Sequence, residues 1–487
     1  MSARTELGTL EASGLIQVAA LQPELEYLFR HALVQEAAYA SLLKQDRRSL
    51  HHAAAEAILT LHPQREPEMA GVIAMHLEQA GEGERAAGYL LVAGEHALKR
   101  FANREAIGFY VRAGQLAPES RSDVRLQAAI GAARAGWTYN SSGVDIDRLE
   151  QALRGADGAD QVLVAEAYFW NAFLRRQRGE LPQSSPALRN ALEQAAELGE
   201  AVGDATTAAL PKGLMGAFAA FTGALREGVQ EMSVALDVIE AQGDVFSVAI
   251  VADFLAMTYA RLGEFKAAEE TIARAQRSAG HGDAIARLDA DIAQSSLDLE
   301  RGEATKACVQ AGDCSQRAED MGAYACVVAA NVMFGAASLA REDARGARVP
   351  LERGNELSMV TNMGALRTLT QGMLGSTLAR LGDLPGGVAE WDAALANARV
   401  MGDRYGEAQT LWGRGRTYAS QKDWATALPD IERAAQLFDE MEARPALARS
   451  LRDRAHVLRE VGRDAEAQAD EKRSAELAGE LGLRDLT

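Results

Sequence analysis

The sequence predicts an all-α superhelix (an α-solenoid) assembled from antiparallel helix pairs that repeat about every forty residues. Glycine-centred turns recur at that interval, three columns of small residues keep step with them, and the composition favours close helix contacts over a sheet. At 487 residues the chain exceeds one compact core, so several domains or an elongated array are expected. Hydrophobic residues at 48% and charged residues at 25% are ordinary for a soluble folded protein. Aromatics stand at only 6%, and about a third of the chain is Ala, Gly, Ser or Cys. Such a core lets backbones approach closely, whereas a sheet draws on β-branched and aromatic side chains.

The turns set the phase. Leu262-Gly263-Glu264, Arg301-Gly302-Glu303, Leu381-Gly382-Asp383 and Val461-Gly462-Arg463 each close a helical segment, with Gly at the left-handed position that ends a helix. Steps of 39 or 40 residues connect them and place two further turns at Glu342 and Lys422. Counting back gives Gly223, and then Gly179 after a longer step of 44.

Seven residues before these eight anchors lie Ala172, Gly216, Ala256, Ser295, Gly335, Gly375, Gly415 and Ala455. Five residues after them lie Ser184, Gly228, Ala268, Ala307, Ala347, Gly387, Ala427 and Ala467, and twelve after lie Ala191, Ala235, Ala275, Cys314, Gly354, Ala394, Ala434 and Ser474. All twenty-four are small. Nine after, the residue is bulky (Leu188, Met232, Ile272, Leu351, Trp391, Ile431), except at Ala311 and Glu471. Small columns that admit a neighbouring helix, beside a bulky column that fills the remaining space, describe ridge-into-groove packing. The last repeat, near 444–481, is rich in Arg, Glu, Asp and Gln, as a capping repeat requires.

These columns resemble the tetratricopeptide-repeat (TPR) family over about residues 160–487, which implies a right-handed superhelix of about eight repeats. The departure is the period, forty rather than thirty-four, which lengthens each helix by roughly 4–5 Å. Long-helix TPR superhelices of this kind resemble the sensor regions of bacterial STAND-class signalling ATPases, of the maltose-operon-activator type.

The chain divides into 1–62, 63–158 and 159–487. In the middle part, 67–80, 84–100, 103–116 and 121–138 read as amphipathic helices, degenerate repeats that lead into the superhelix. Asn140-Ser141-Ser142-Gly143 breaks the pattern, and Asp145 reads as the N-cap of a short helix to Arg154. The first part differs. Two short apolar runs, Leu15–Val18 and Tyr27–Arg30, flank Gln22-Pro23-Glu24 as in a β-hairpin, followed by a helix from Ala32 to about Leu43 and a second carrying Arg47, Arg48 and His51. The string from Tyr27 to Tyr39 with Arg47-Arg48-Ser-Leu-His51 resembles the tail of the winged-helix module that links the nucleotide-binding core to the TPR arm in STAND ATPases, including those associated with nucleotide cyclases. On that resemblance, His31 in Arg30-His31-Ala32-Leu33 matches the histidine of the "MHD" motif, which senses nucleotide phosphates when an ATPase core is present. The alternative is a hairpin-end histidine satisfied by local hydrogen bonds.

Chemistry is not legible. The sequence holds no P-loop, HExxH or GxSxG motif, so neither an ATPase core nor another recognisable enzyme is expected. Gly81-Glu-Gly83-Glu-Arg-Ala86 mimics a dinucleotide-binding turn but sits between helices rather than after a strand, and no cofactor is expected. Cys308, Cys314 and Cys326 lack paired metal-ligand spacing, and Cys314 occupies a packing column, so a core role is expected and no metal. A net charge of −18 argues against direct nucleic-acid binding. The absence of an apolar leader, of long apolar runs and of a disulfide framework fits a cytoplasmic protein with no membrane partner.

Binding is expected on the concave face, where the resemblance places the exposed positions of each repeat's first helix. Ten and six residues before each anchor the columns run from Phe169 and Phe173 through Asp253, Met257, Ile292, Ser296 and Ser376 to Trp412, Arg416, Arg452 and His456, and Arg261 and Arg380 lie two before theirs. The Lys and Asn with which chaperone-clamping TPR proteins hold a carboxylate are missing. Two readings stand: the apolar columns pack the longer helices together, or they form a groove whose end is made cationic and aromatic by Arg261, Arg380, Trp412, Arg416, Arg452 and His456. The expected partner is a protein or peptide, or a small effector, and self-association is compatible with the sequence. The functional expectation is a non-catalytic sensor arm of a signalling ATPase, with a free-standing TPR adaptor as the alternative.

Overall fold

The computed structural model describes residues 3–20, 26–100, 102–137, 143–280, 283–361 and 363–486. The expected turn at Gln22-Pro23-Glu24 and the break at Asn140-Ser141-Ser142 lie outside them. Among the described residues there are twenty-four α-helices and one two-stranded sheet. The protein is an all-α solenoid.

The chain opens with α1 (Ala3–Ala12) and an antiparallel hairpin of β1 (Ile16–Ala20) and β2 (Glu26–Phe29), in which Ile16 faces Phe29 and Val18 faces Tyr27. Helices α2 (Ala32–Ser41) and α3 (Lys44–Leu61) follow. The next five are α4 (Glu66–Ala80), α5 (Gly83–Lys99), α6 (Asn103–Leu116), α7 (Ser122–Gly136) and α8 (Gly143–Arg154). Asp145 does not cap α8. It lies inside the first turn, nearly buried and paired with Arg148 at 2.6 Å, because the helix already begins at Gly143. The Gly81-Glu-Gly83 stretch is the link between α4 and α5, with no strand before it.

Eight regular pairs complete the chain: α9 (Gln161–Gln177) with α10 (Pro186–Val202), α11 (Ala205–Phe221) with α12 (Leu225–Gln242), α13 (Val245–Leu262) with α14 (Phe265–Ala279), and α15 (Ala284–Glu300) with α16 (Ala304–Met321). Then come α17 (Tyr324–Ala340) with α18 (Ala344–Val360), α19 (Arg367–Arg380) with α20 (Leu384–Met401), α21 (Arg404–Ser420) with α22 (Trp424–Glu440), and α23 (Arg444–Glu460) with α24 (Asp464–Leu481).

Local chemistry accounts for where these helices start and stop. All eight anchor residues take positive φ, including Glu342 at 59° and Lys422 at 61°, the two that are not glycine. Aspartates cap many of the starts: Asp204, Asp343, Asp383 and Asp403 each accept the amide of the residue three positions on, at 2.7–3.0 Å. Part of the acidity of the chain is therefore helix capping. Twenty-two of the twenty-four small-column residues are buried. Ser184 and Ala191, both in the first pair, are not, because the four extra residues of that repeat lie in the loop before α10 and shift its face; Leu188 and Ala195 are buried there instead. At Gly375 and Gly387 the backbones of α19 and α20 touch, and a Cβ at either position would come within 2.8 Å of the other's carbonyl oxygen.

Helix α13 is apolar on average, although Asp253 and Arg261 interrupt it and no long continuous apolar run occurs. It is 18 residues long with a mean hydropathy of 1.6, enough by length and composition to cross a bilayer, but 67% of it is buried inside the solenoid. Its apolarity comes from being packed on several sides, α12, α14 and α15 among them.

The winding brings the later repeats back onto the earlier ones. Gln183 N–H donates to the Met401 carbonyl at 3.0 Å, Arg226 to Glu442 at 2.7 Å, and Tyr405 to Glu300 at 2.8 Å. Helix α23 packs on α13, and the anchor turns at Gly179 and Gly223 rest against Gly364 and against Arg404 and Met441. The first helices of successive pairs thus face an interior enclosed by two turns of the same superhelix.

Candidate ligand cavity on the concave face

Each helix pair presents its first helix to this interior, and the cavity there has a volume of about 190 Å³. It crosses the helices obliquely. In α15 it meets the C-terminal end (Ser296, Leu299, Glu300), in α19 it runs from Gly372 through Ser376 to the last residue, Arg380, in α21 from Tyr405 in the first turn through Trp412 to Arg416, and in α23 it meets the N-terminal half (Ala446, Arg449, Arg452). Five of the six expected groove residues line it: Arg261, Arg380, Trp412, Arg416 and Arg452. His456 does not. It is exposed and meets the edge of Trp424 at 5.6 Å, because the oblique path reaches α23 one turn earlier.

The cationic groups are held in place by a shared set of acids. Arg380 and Arg416 both donate to Glu342, at 2.9 and 2.8 Å. Arg416 also pairs with Asp453 at 3.2 Å and lies 5.3 Å from the Trp412 ring centroid, while the Trp412 indole N–H donates to Asp453 at 2.9 Å. The Arg380 Nε has no hydrogen-bond partner, and burial, followed by the neighbouring Arg416, lowers its pKa. Arg261 is buried and stacks on Tyr405 at 4.0 Å.

Among the lining residues that the groove columns do not include are Tyr405, Arg449 and Asp485. Arg449 is buried, donates Nε to Asp485 at 2.6 Å and Nη2 to the Glu300 carbonyl at 2.9 Å. Burial opposes its charge, but Asp485 and Glu300 hold its pKa above the ordinary value. Burial likewise opposes the charge of Asp485, and Arg449 prevails, leaving its pKa low. The Tyr405 hydroxyl is pushed up by burial first and by Glu300 second. No column singled out Arg449: thirteen residues before the other anchors lie Glu166, Leu210, Ile250, Asp289, Ala329, Leu369 and Gln409, a mixture of charged, polar and apolar side chains.

Towards the N-terminal end the columns pack instead of opening. Phe169 and Phe173 are buried and stack at 6.0 Å, with Trp137 edge-on to Phe173 at 5.7 Å. Between the two regions lies an acidic pair. The Cys326 thiol donates to Asp289 at 3.4 Å, Asp253 Oδ1 lacks a partner, and burial raises Asp253 and pushes Asp289 up to about 7. All three cysteines are buried and free, and among the described residues no group of three or more His, Cys, Asp or Glu could hold a metal ion.

His31 occupies the N-cap position of α2 with extended backbone (φ −136°). Its ring is exposed and makes no capping hydrogen bond.

No family model and no curated protein matches the sequence. Solved structures do. The Rap protein complexed with Competence and Sporulation Factor is 12% identical, with a TM-score of 0.55, covering 75% of this chain and 99% of that one. The Cut9–Hcn1 hetero-tetramer of the APC/C is 13% identical, with a TM-score of 0.49, covering 92% of this chain and 90% of that one. A STAND protein with a tetratricopeptide-repeat sensor, from Pyrococcus horikoshii, is 15% identical, with a TM-score of 0.47, covering 82% of this chain and 59% of that one. These neighbours are TPR-like helical repeat proteins. The likeness establishes the fold.

Proposed function

We propose that this chain is a non-catalytic regulatory arm that binds a peptide, a protein segment or a small effector in its concave cavity. The observation that carries the reading is convergence: Arg261, Arg380, Arg416, Arg449 and Arg452, from four separate helices, meet beside Trp412 in one cavity, in a chain whose net charge is −18. A fold that needed only to pack would not collect five guanidinium groups around an open space, since each costs desolvation there. The neighbour at TM-score 0.55 was solved with Competence and Sporulation Factor, which supports a ligand-binding role for this architecture.

The finer reading is a sensor arm of a STAND-type signalling ATPase, in which the hairpin with α2 and α3 is the tail of a winged-helix module and His31 its nucleotide-sensing residue. Surface composition supports it. Among the described residues, nine of the twenty-one exposed large hydrophobic side chains fall within the first 61 residues, including Leu33, Leu43 and Leu61, each more than 70% exposed. Such a surface suits a module that packs against further protein. The test is capture from native lysate followed by mass spectrometry, comparing the wild type with the Trp412→Ala, Arg416→Ala double variant. Loss of specific partners or small molecules in the variant is expected; an identical captured set would sink the cavity as the binding site.

A further inference from the structure

After α24 the chain does not leave the molecule. Residues Gly482–Leu486 cross to the opposite superhelical turn and lie over the anchor turn of the fourth pair. Leu483 is fully buried, Arg484 N–H donates to the Arg301 carbonyl at 3.2 Å, and the Arg484 guanidinium pairs with Glu303 at 2.7 Å. The approach depends on a missing side chain, since a Cβ on Gly302 would collide with the Asp485 carboxylate and backbone. Asp485 is thereby carried into the cavity, where its two oxygens accept from Arg449 Nε at 2.6 Å and Nη2 at 3.1 Å, and its own carbonyl accepts from Arg452 at 3.3 Å.

Arg449 is a built anion site. It is more than nine-tenths buried, its guanidinium is fixed by the Glu300 carbonyl at Nη2 and the Glu300 carboxylate 3.4 Å from Nη1, and its Nε–Nη2 edge meets the Asp485 carboxylate in the bidentate geometry that arginine favours. A nearby Arg380 Nε with no partner leaves further unused donor capacity in the same cavity. We infer that Gly482–Leu486 is a strap that holds Asp485 on Arg449 in place of an acidic group of the ligand, so that a carboxylate-bearing ligand binds by displacing it. The inference rests on the cavity being the binding site, and it adds the chemistry of the ligand and an internal competitor. With the strap closed for most of the time, the apparent affinity falls by the fraction of molecules in which it is open.

The test uses the full chain and its Asp485→Asn variant, an isosteric change near the surface, with tetraglutamate and tetralysine peptides as probes. Binding is read by Trp412 fluorescence, and strap motion by amide hydrogen exchange over 482–486. Tetraglutamate should bind the variant at least about tenfold more tightly than the wild type, saturating tetraglutamate should speed strap exchange in the wild type, and tetralysine should show neither effect. Equal tetraglutamate affinities, or binding without faster strap exchange, would overturn the strap while leaving the cavity as the binding site. Failure of tetraglutamate to bind either chain would overturn the acidic-ligand assignment, and the capture experiment above then decides separately whether the cavity binds anything.

Discussion

Replacing Gly375 by alanine tests the packing rule that organises the whole chain. A Cβ there would lie 2.6 Å from Cδ1 of Trp391, whose side chain is fully buried, and 2.8 Å from the carbonyl oxygen of Gly387 on the facing helix. Neither neighbour has room to yield, since one is backbone and the other donates its indole N–H to Ser376 at 3.2 Å. Overpacking of this kind costs about 1–3 kcal/mol, and alanine returns about 1 kcal/mol of helix propensity. The net expectation is a loss of up to about 2 kcal/mol. Gly88 in α5 supplies the control, because nothing lies within 4 Å of its added Cβ and only the propensity gain operates. Since repeat arrays unfold in parts, the assay is amide hydrogen exchange over α19–α20 and over α5, alongside urea unfolding. Protection should fall across α19–α20 in Gly375→Ala and rise in α5 in Gly88→Ala. A Gly375→Ala chain that gains stability and α19–α20 protection as Gly88→Ala gains them in α5 would refute the argument that the small columns exist to let backbones touch.

Other outcomes follow from the same structure. Arg449→Met removes one partner of the largely buried pair with Glu300, 3.4 Å away, and leaves that carboxylate unmatched, at a cost of about 3–5 kcal/mol; because that pair ties α23 to the end of α15, small-angle scattering should show a larger radius of gyration, and an unchanged radius counts against the stapling role. Asp289 titrates near 7 because burial disfavours its charge, so the folded chain retains a proton that the unfolded chain releases near pH 4, and stability falls as pH rises between these values. Asp289→Asn should therefore stabilise more at pH 8 than at pH 5; an equal gain at both would refute the charge argument. At the α3–α4 junction His51 and His76 face each other through Nδ1 atoms 2.8 Å apart, and burial, then His51, lowers the pKa of His76. The unfolded chain thus binds more protons just below the ordinary histidine pKa, and stability there is lost as pH falls. The protection factors of α4 amides, which remove the pH dependence of exchange itself, should fall between about pH 7.5 and 5.5, and His76→Gln should abolish that fall.

The sequence by itself determined whatever depends on neighbours within one repeat. The forty-residue step, the left-handed turns at Glu342 and Lys422, the buried small columns and the inward-facing arginines all follow from helix periodicity and from the limited ways a helix can end. It failed locally at the start of α8, where Asp145 lies inside the helix, and in the first pair: the step of 44 was real, but a column count cannot say whether extra residues sit in a helix or a loop, and Ser184 and Ala191 were misplaced for that reason. Only the tertiary structure decided how far the superhelix winds. That winding sums small rotations over eight pairs and is fixed by contacts between residues 36 to 216 apart in sequence, such as Arg449 with Asp485 and Arg226 with Glu442. No local pattern encodes such pairs. The same winding sets the oblique path of the cavity, which admits Arg452 and leaves out His456, and it brings the segment after α24 across to Gly302, where Asp485 meets Arg449.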